Sequence, residues 1–520
     1  MSSTTVQEQH NVKEVTKKDN QEQQSEIIQS SLPLLPYSTF SHRVKMAITY
    51  QTSFTAMFAA LSSLIYYPAI RPLAESLDVS ILAINLTVSV FLITAGIFPA
   101  IIRDVSEQIR RRPAGLLAFS IYFLANLGIS LQNKYAALIA LRALQSAATA
   151  GVIIAYAVIA DITTRDERGS YVGIQLAFTS SASCVGPVIG GVIADKLSWR
   201  WIFRFLAILS GVNLLGLLVF FPETSRKLVG NGSLAPRSRL NQSLSSLFAC
   251  NKSTAQRSIV KPRFVHVPNP LTCFKSLLQR SNCILVLSCG TYYALYSVLG
   301  TSLATDMAEL YSLNPLKTGL VYLPSGVGCL LASLFTGKLL DHEYRVVARS
   351  LDVAHHERPE DASSYSAHAT SAFPIEKARL RSVFPCLAIT TVSTFGYGWS
   401  LYARLHIAVP LVLQLLAQST QAAIFVICST LLTDLNPDRS SAAQACYNLV
   451  KCLLSAGAVA VLKPVVDSLG IGWCFTVYSS IGLLCIPMLF LLRLNGRQWR
   501  IPTAEKDTLD AAPPGNDGGV

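Results

Sequence analysis

Two basic residues, Arg142 and Lys451, stand alone inside long apolar runs. A cation held at that depth in a bilayer costs at least ~2.5–3.5 kcal/mol and marks a polar path or a counter-ion site. Each has an amide at helical spacing on the same face: Gln145 three residues after Arg142, and Asn448 three before Lys451. No Asp or Glu falls within any of the apolar runs. Asp161 and Asp434 at inner ends and Asp306 at an outer end are the nearest acids. Two cations without an acid favour an anionic or neutral solute over a cationic one, because an unpaired buried cation is costly. The further candidates for such a path are Tyr292 and Tyr296, with Tyr293, Tyr66 and Tyr67, and Gln418, with Gln414 and Gln421. Lipid-interface tyrosines and plain interhelical hydrogen bonding are the alternative roles for this last group. Arg142 bonded to backbone carbonyls and Gln145 is the structural alternative for the arginine.

The elements that must position these groups are twelve runs of spanning length. They are Met46–Ile70, Val79–Ile102, Pro113–Asn133, Tyr135–Ala160, Gly169–Ala194, Phe205–Pro222, Ser281–Thr305, Thr318–Gly337, Ser382–Ala403, Leu405–Thr433, Ser440–Leu462 and Ser468–Leu492. About 20 apolar residues cross the ~30 Å hydrocarbon layer. Charged residues make up only 14% of the 520, mean hydropathy is +0.42, and a soluble chain carries about a quarter charged. The expected fold is therefore an all-α membrane protein whose partner is the lipid bilayer. The net charge of +13 lies in connections between runs, with no aromatic-laced basic patch, so no nucleic-acid partner is expected. Arg103 and Arg110–Arg112, the 222–280 segment and the stretch after the eighth run hold most of the cations. By the positive-inside rule these segments and both termini are cytosolic.

The expected organisation is a disordered cytosolic tail at 1–43, a six-helix bundle at 44–224 and a cytosolic central loop at 225–280. A second bundle follows at 281–495 with a cytosolic insertion at 342–380, then a tail at 496–520. The halves echo each other. Asp161 and Arg168 follow the fourth run as Asp434 and Arg439 follow the tenth, and a charged turn around Glu107 is matched by Asp341 and Arg345. Parallel repeats about an axis along the membrane normal are a transporter arrangement. Twelve cysteines scattered among spans and cytosolic segments predict free thiols. No Cys/His cluster points to a metal, and no Gly-x-x-x-x-Gly-Lys-Ser/Thr loop points to ATP. No cofactor and no enzyme activity are expected, since spans lack the clustered His, Asp or Ser that catalysis needs.

The ordered motifs Arg142-Ala-Leu-Gln145, Asp-Glu167-Arg168-Gly169, Gly186-Pro187-Val-Ile-Gly190-Gly191, Trp199-Arg-Trp-Ile-Phe203, Pro222-Glu-Thr224, Tyr322-Leu-Pro-Ser-Gly-Val-Gly328, Phe373-Pro-Ile-Glu-Lys-Ala-Arg379 and Asn448-Leu-Val-Lys451 have a familiar look. Over roughly residues 40–500 the chain resembles fungal major facilitator drug:proton antiporters with twelve spans, most closely the quinidine-resistance branch. The resemblance implies the major facilitator fold of two six-helix bundles and alternating access. It also implies a substrate role for Arg142 and gating by Gly186, Pro187, Gly190 and Gly191 in span 5. The charged gate residues it implies are Glu107, Arg111, Arg112, Asp161, Arg168, Asp341 and Arg345. The span 2–3 loop departs from the family's Gly-x-x-x-Asp-Arg-x-Gly-Arg-Arg: Arg103 and Arg110 stand at its glycines, and Glu107 at its Asp.

The expected function is export of a small organic molecule (a drug, weak organic acid or secondary metabolite) by proton antiport, from a monomer in the plasma membrane. Proton-coupled uptake and a non-transporting membrane sensor remain the alternatives.

Overall fold

The computed structural model describes residues 38–164, 167–231, 242, 279–356, 375–436 and 440–500. Most of the expected N-terminal tail, most of the central loop, the middle of the 342–380 insertion and the last twenty residues lie outside the described residues. Twelve long helices order the rest: α1 His42–Leu77, α2 Ile81–Ile109, α3 Arg111–Leu131, α4 Tyr135–Ile162, α5 Arg168–Lys196, α6 Trp199–Val219, α7 Arg280–Leu310, α8 Pro315–Leu340, α9 Val383–Tyr402, α10 Ala408–Leu435, α11 Ser440–Leu469 and α12 Ile471–Arg500. No strand occurs among the described residues. Helices are what apolar runs must form in lipid, where every backbone N–H and C=O has to find its partner within the segment. Leu124, Phe220, Val392 and Leu484 stay exposed on the outer surface, as a lipid-facing belt requires.

Eleven of the twelve are long and apolar enough to cross a membrane. The exception is α9, whose twenty residues include Thr390, Thr391, Ser393 and Thr394. Those hydroxyl groups dilute its hydropathy, while Thr390, Ser393 and Thr394 are buried.

Several helices differ in extent from the apolar runs. Helix α6 starts at Trp199 behind the Ser198 cap, six residues before Phe205. Arg200 and Arg204 are carried within it because their guanidinium groups lie over Trp199 and Trp201, at 4.4 and 4.8 Å. Past Leu340 the α8 helix continues to His356, and Ile375–Arg379 is a short helix, so part of the 342–380 insertion is helical. Helix α7 runs to Leu310 through a π-helical turn, Leu303–Met307. Asp306 is thereby inside a spanning helix rather than beyond its end. Helices α1 and α4 are each interrupted by a 3₁₀ turn, at Tyr67–Ala69 and Ser146–Thr149.

The halves meet along α2 with α11 and along α5 with α8. Ser89 donates to the Ala456 carbonyl and Asn448 to the Ala95 carbonyl, both at 3.0 Å. Between α5 and α8 the approach is backbone to backbone. A Cβ on Gly191 would lie 2.6 Å from the Pro315 carbonyl oxygen, and one on Gly326 would lie 2.5 Å from the Cα of Cys184. Eleven residues are three helical turns, so Gly173 continues the Cys184 face of α5 and Gly337 the Gly326 face of α8. At both of these a Cβ would meet nothing within 4 Å. The α5–α8 seam is therefore shut at the end holding the α5 C-terminus. It is open at the opposite end, which holds the basic connections.

Candidate functional site

At the centre, α1, α5, α7, α8 and α10 enclose a small void of about 10 Å³ lined by Tyr67, Ser183, Tyr296, Gly300, Tyr322 and Gln418, among others. That is room for about one water. Its walls are held by polar and aromatic contacts. The Tyr67 and Tyr322 rings, from opposite halves, stack with centroids 5.9 Å apart, and the Tyr322 hydroxyl donates to the Gly300 carbonyl. Behind Tyr296 lie Tyr293 and Phe425, with ring centroids 5.4 to 6.0 Å apart. Half-buried Lys451 enters this cluster from α11. Its Nζ sits 4.9 Å from the Tyr293 ring centroid and 5.1 Å from that of Tyr447. Among the described residues no carboxylate lies within ion-pair distance of it.

Gln418, Tyr296 and Lys451 are thus brought together. Tyr292 faces elsewhere: its hydroxyl donates to the Gly482 carbonyl of α12 at 3.0 Å. Asn448 bonds across the α2–α11 seam rather than joining Lys451. Gln414 and Gln421 are buried on α10, and neither side-chain amide has a hydrogen-bond partner among the described residues.

Arg142 lies off the void, fully buried in the first half. Its Nη1 donates to Gln145 Oε1 at 2.5 Å and to the Ser62 carbonyl at 3.3 Å. Gln145 in turn donates to Asn126 at 2.7 Å, and the Tyr122 and Ser62 hydroxyls meet at 2.7 Å. The guanidinium lies 4.0 Å from the Tyr66 ring centroid and 4.6 Å from that of Phe91. Aromatic faces attract a cation but accept no conventional hydrogen bond, and Nε and Nη2 have no hydrogen-bond partner among the described residues. In this conformation the arginine takes the bonded, interior arrangement. Three of its five N–H groups are thus left without an acceptor among the described residues. Asn126 and Phe91 were legible as candidates only after the fold was known. An amide in an apolar run is a usable signal, whereas a phenylalanine among many is none.

The charged residues at the basic end form clamps within each half. Arg111 pairs with Asp161 at 3.2 Å, tying α3 to α4, and Arg226 donates to the Asp161 carbonyl at 2.9 Å. In the second half Arg379 pairs with Asp434 at 3.0 Å. Arg379, just before α9, thus holds Asp434 as Arg111, at the start of α3, holds Asp161. Buried Glu223 accepts backbone N–H bonds from Arg111, Arg112, Thr224 and Ser225 at 2.9 to 3.2 Å. It supplies the first turn of α3 with the acceptors a helix start lacks. Burial pushes its carboxyl above the usual range, and those four amides pull it back. Arg112 donates to the Leu218 carbonyl at 2.7 Å. The side chains of Glu107, Arg168, Asp341 and Arg345 lie outside the described residues, although their backbones are helical. The four small residues of α5 divide between two faces. Gly186 and Gly190 admit Leu61 and Ile65 of α1, while Pro187 and Gly191 face Gly319 of α8.

Arg110 is the single residue between α2 and α3, with φ 88° and ψ 170°. That conformation belongs to glycine, and forcing a side chain into it costs about 1–3 kcal/mol. The loop's departure from a glycine at this position is thus a source of strain. Arg110→Gly is expected to stabilise the protein by about 1–3 kcal/mol, read as a higher melting temperature in detergent. An unchanged or lower one would contradict the assignment.

Comparison with known proteins agrees with this architecture. The Major Facilitator Superfamily model matches residues 52–351. "MFS-type transporter phiD" of a fungal species (strain ATCC 74256) is 37% identical over 92% of this chain and 72% of its own. "Citrate exporter 1" of Aspergillus niger is 33% identical, covering 89% and 88%. "Quinidine resistance protein 1" of Saccharomyces cerevisiae is 32% identical, covering 90% and 86%. The xylose transporter XylE of E. coli, in a partially occluded inward-open conformation, superposes with a TM-score of 0.59 at 13% identity, covering 87% and 98%. With a twelve-helix bundle in two halves, a central polar void and these relatives, the chain belongs to the Major Facilitator Superfamily and is a membrane transporter.

Proposed function

We propose that this transporter exports a small organic anion, a weak acid or an acidic metabolite, by alternating access coupled to proton entry. The observation that carries this reading is the pair of interior cations, Arg142 and Lys451, which face aromatic rings and amides rather than carboxylates. A bound solute carboxylate supplies the counter-charge that these interior cations lack. One relative is named for exporting citrate, itself an organic anion.

The basic end is the cytosolic one in this reading, so the open seam beside Gly173 and Gly337 is where substrate enters. The solute then meets Gln418, Tyr296 and the Lys451 ammonium. Rocking of the halves about the void closes the inner seam and parts Tyr67 from Tyr322, releasing the solute outside. The molecule works as a monomer in the plasma membrane. Arg111–Asp161 and Arg379–Asp434 keep each half rigid while the halves move, and the glycine face of α5 is the seam that opens and shuts.

The test is Lys451→Ala in proteoliposomes preloaded with a labelled organic acid. Export is expected to fall at least ~10-fold, equivalent to about 1.4 kcal/mol or more of lost attraction, with Lys451→Arg recovering part of it. Full export by a correctly inserted Lys451→Ala protein would refute the anion reading. Net inward transport down a solute gradient alone, with no acceleration by protons, would refute its direction and coupling.

A further inference from the structure

The proton-coupled reading leaves a proton carrier to be found, and three acids at the basic end do not suit the role. Asp161 and Asp434 are each held by an arginine, and Glu223 by four backbone amides. Asp306 differs from all three. It lies in the π-helical turn Leu303–Met307 of α7, a distortion that concentrates at functional sites. Its Oδ2 is shielded from solvent and has no hydrogen-bond partner among the described residues. The hydroxyls of Ser302 and Thr305 lie beside the carboxylate.

The groups facing it come from every element around it. Lys463 of α11, itself paired with Asp467 at 3.0 Å, is the nearby cation, and Glu309, one turn on, is the nearby anion. Tyr397 of α9 reaches Ser302 at 3.4 Å between hydroxyls, and Cys474 of α12 completes the surround. A cavity of about 110 Å³ opens next to this group, lined by Ile70, Arg71 and Ile81 of the first half and Ala304, Thr305 and Glu309 of the second. Thr305 therefore touches both the cavity and the carboxylate. Gly300, on the wall of the central void, is six residues away on the same helix, about 9 Å along its axis.

On the antiport reading, we propose that Asp306 is the carboxyl that takes up the coupling proton, through the mouth formed by Arg71, Thr305 and Glu309 at the end opposite the basic one. The step is one proton adding to a carboxylate oxygen and later leaving it, with no other bond made or broken. Neutralising the carboxylate removes the cost of burying its charge, which shifts the balance between states of α7. Because α7 also carries Tyr296 and Gly300, the change is passed to the void along one helix.

The experiment compares the intact protein with Asp306→Asn, and with Asp78→Asn, just past α1 at the same end, as an acid control, in proteoliposomes. Organic-acid export is measured with and without a proton gradient, alongside solute exchange at equal pH. Asp306→Asn is expected to lose at least ~10-fold of the gradient's acceleration while retaining exchange, and Asp78→Asn to keep both. Acceleration that survives in Asp306→Asn overturns the proposal, whereas a parent protein indifferent to the gradient overturns the antiport reading instead. Lys463→Met gives a second readout should Asp306→Asn not fold. Removing that cation should move the pH midpoint of coupling upward by about half a unit, and an unmoved midpoint overturns the proposal.

Discussion

Gly191→Leu is expected to reduce transport by about 10- to 100-fold and to leave the protein unable to shut the seam that is closed here. The reason is geometric. A side chain at this position would meet the Pro315 carbonyl oxygen at 2.6 Å and the Gly319 Cα at 3.0 Å. Both are backbone atoms of a neighbouring helix, which cannot step aside as a rotamer can. Overpacking a tight contact costs about 1–3 kcal/mol, and a bias of that size shifts a two-state equilibrium about 5- to 150-fold. The shift can be read directly. A cysteine placed at Ser325, on the void wall, should become reactive to a membrane-impermeant thiol reagent applied from the end opposite the basic one. Gly173→Leu should produce the reverse, since its position has open space now and must close when the molecule turns over. Transport would fall there too, but the reporter would be labelled from the basic end. Parental transport in Gly191→Leu would mean that the α5–α8 seam does not move.

Arg142→Met should abolish organic-acid transport, by about 100-fold or more, without a matching loss of thermal stability. Methionine occupies much of the same volume and removes a charge that is wholly buried. Relief of that burial offsets the loss of the bonds to Gln145 and the Ser62 carbonyl. A purely structural arginine would behave differently. Its removal would lower the melting temperature in detergent and spare the transport rate of whatever protein remained folded. Arg142→Lys should fall between, about 10-fold below the parent, because an ammonium keeps the charge but not the planar fork that can stack on Tyr66 and Phe91 while donating elsewhere. Unaltered transport by Arg142→Met would remove the first half's cation from the substrate path.

How much of this was legible beforehand depended on the kind of signal. Apolar runs bounded by charges marked the helices well, because lipid leaves the backbone no choice but to bond within each segment. Their ends were less legible where a charged side chain lies on an aromatic ring, as Arg200 and Arg204 do, or where a helix runs on past its apolar run. The latter is why Asp306 first counted as an end residue and is in fact inside α7. Local pairing was readable for Arg142 and Gln145, since helical spacing alone brings them together. Long-range pairing was not. Nothing in the sequence links Glu223 to the start of α3, Asn448 to the Ala95 carbonyl, or Arg379 to Asp434. The void's aromatic wall was half visible: Tyr296 and Tyr67 were candidates by type, but Tyr292 and Tyr293 are neighbours on one helix, and only packing decides which of them turns toward Lys451. The strain at Arg110 was foreshadowed by its standing where related loops carry glycine, and the left-handed φ supplies the physical reason.

The hydroxyl-rich character of α9 has a consequence for how the chain is made. Thr390 meets the Thr420 hydroxyl of α10 at 2.7 Å, Trp399 donates to Thr476 of α12 at 3.2 Å, and Ser479 of α12 donates to the Thr391 carbonyl at 2.9 Å. These partners are all synthesised after α9 itself. As it leaves the ribosome, this segment meets the bilayer with these hydroxyl and backbone groups still lacking the partners that α10 and α12 bring later. Substitutions that replace these hydroxyl groups with apolar ones should ease the entry of α9 into the bilayer while loosening its fit against α10 and α12.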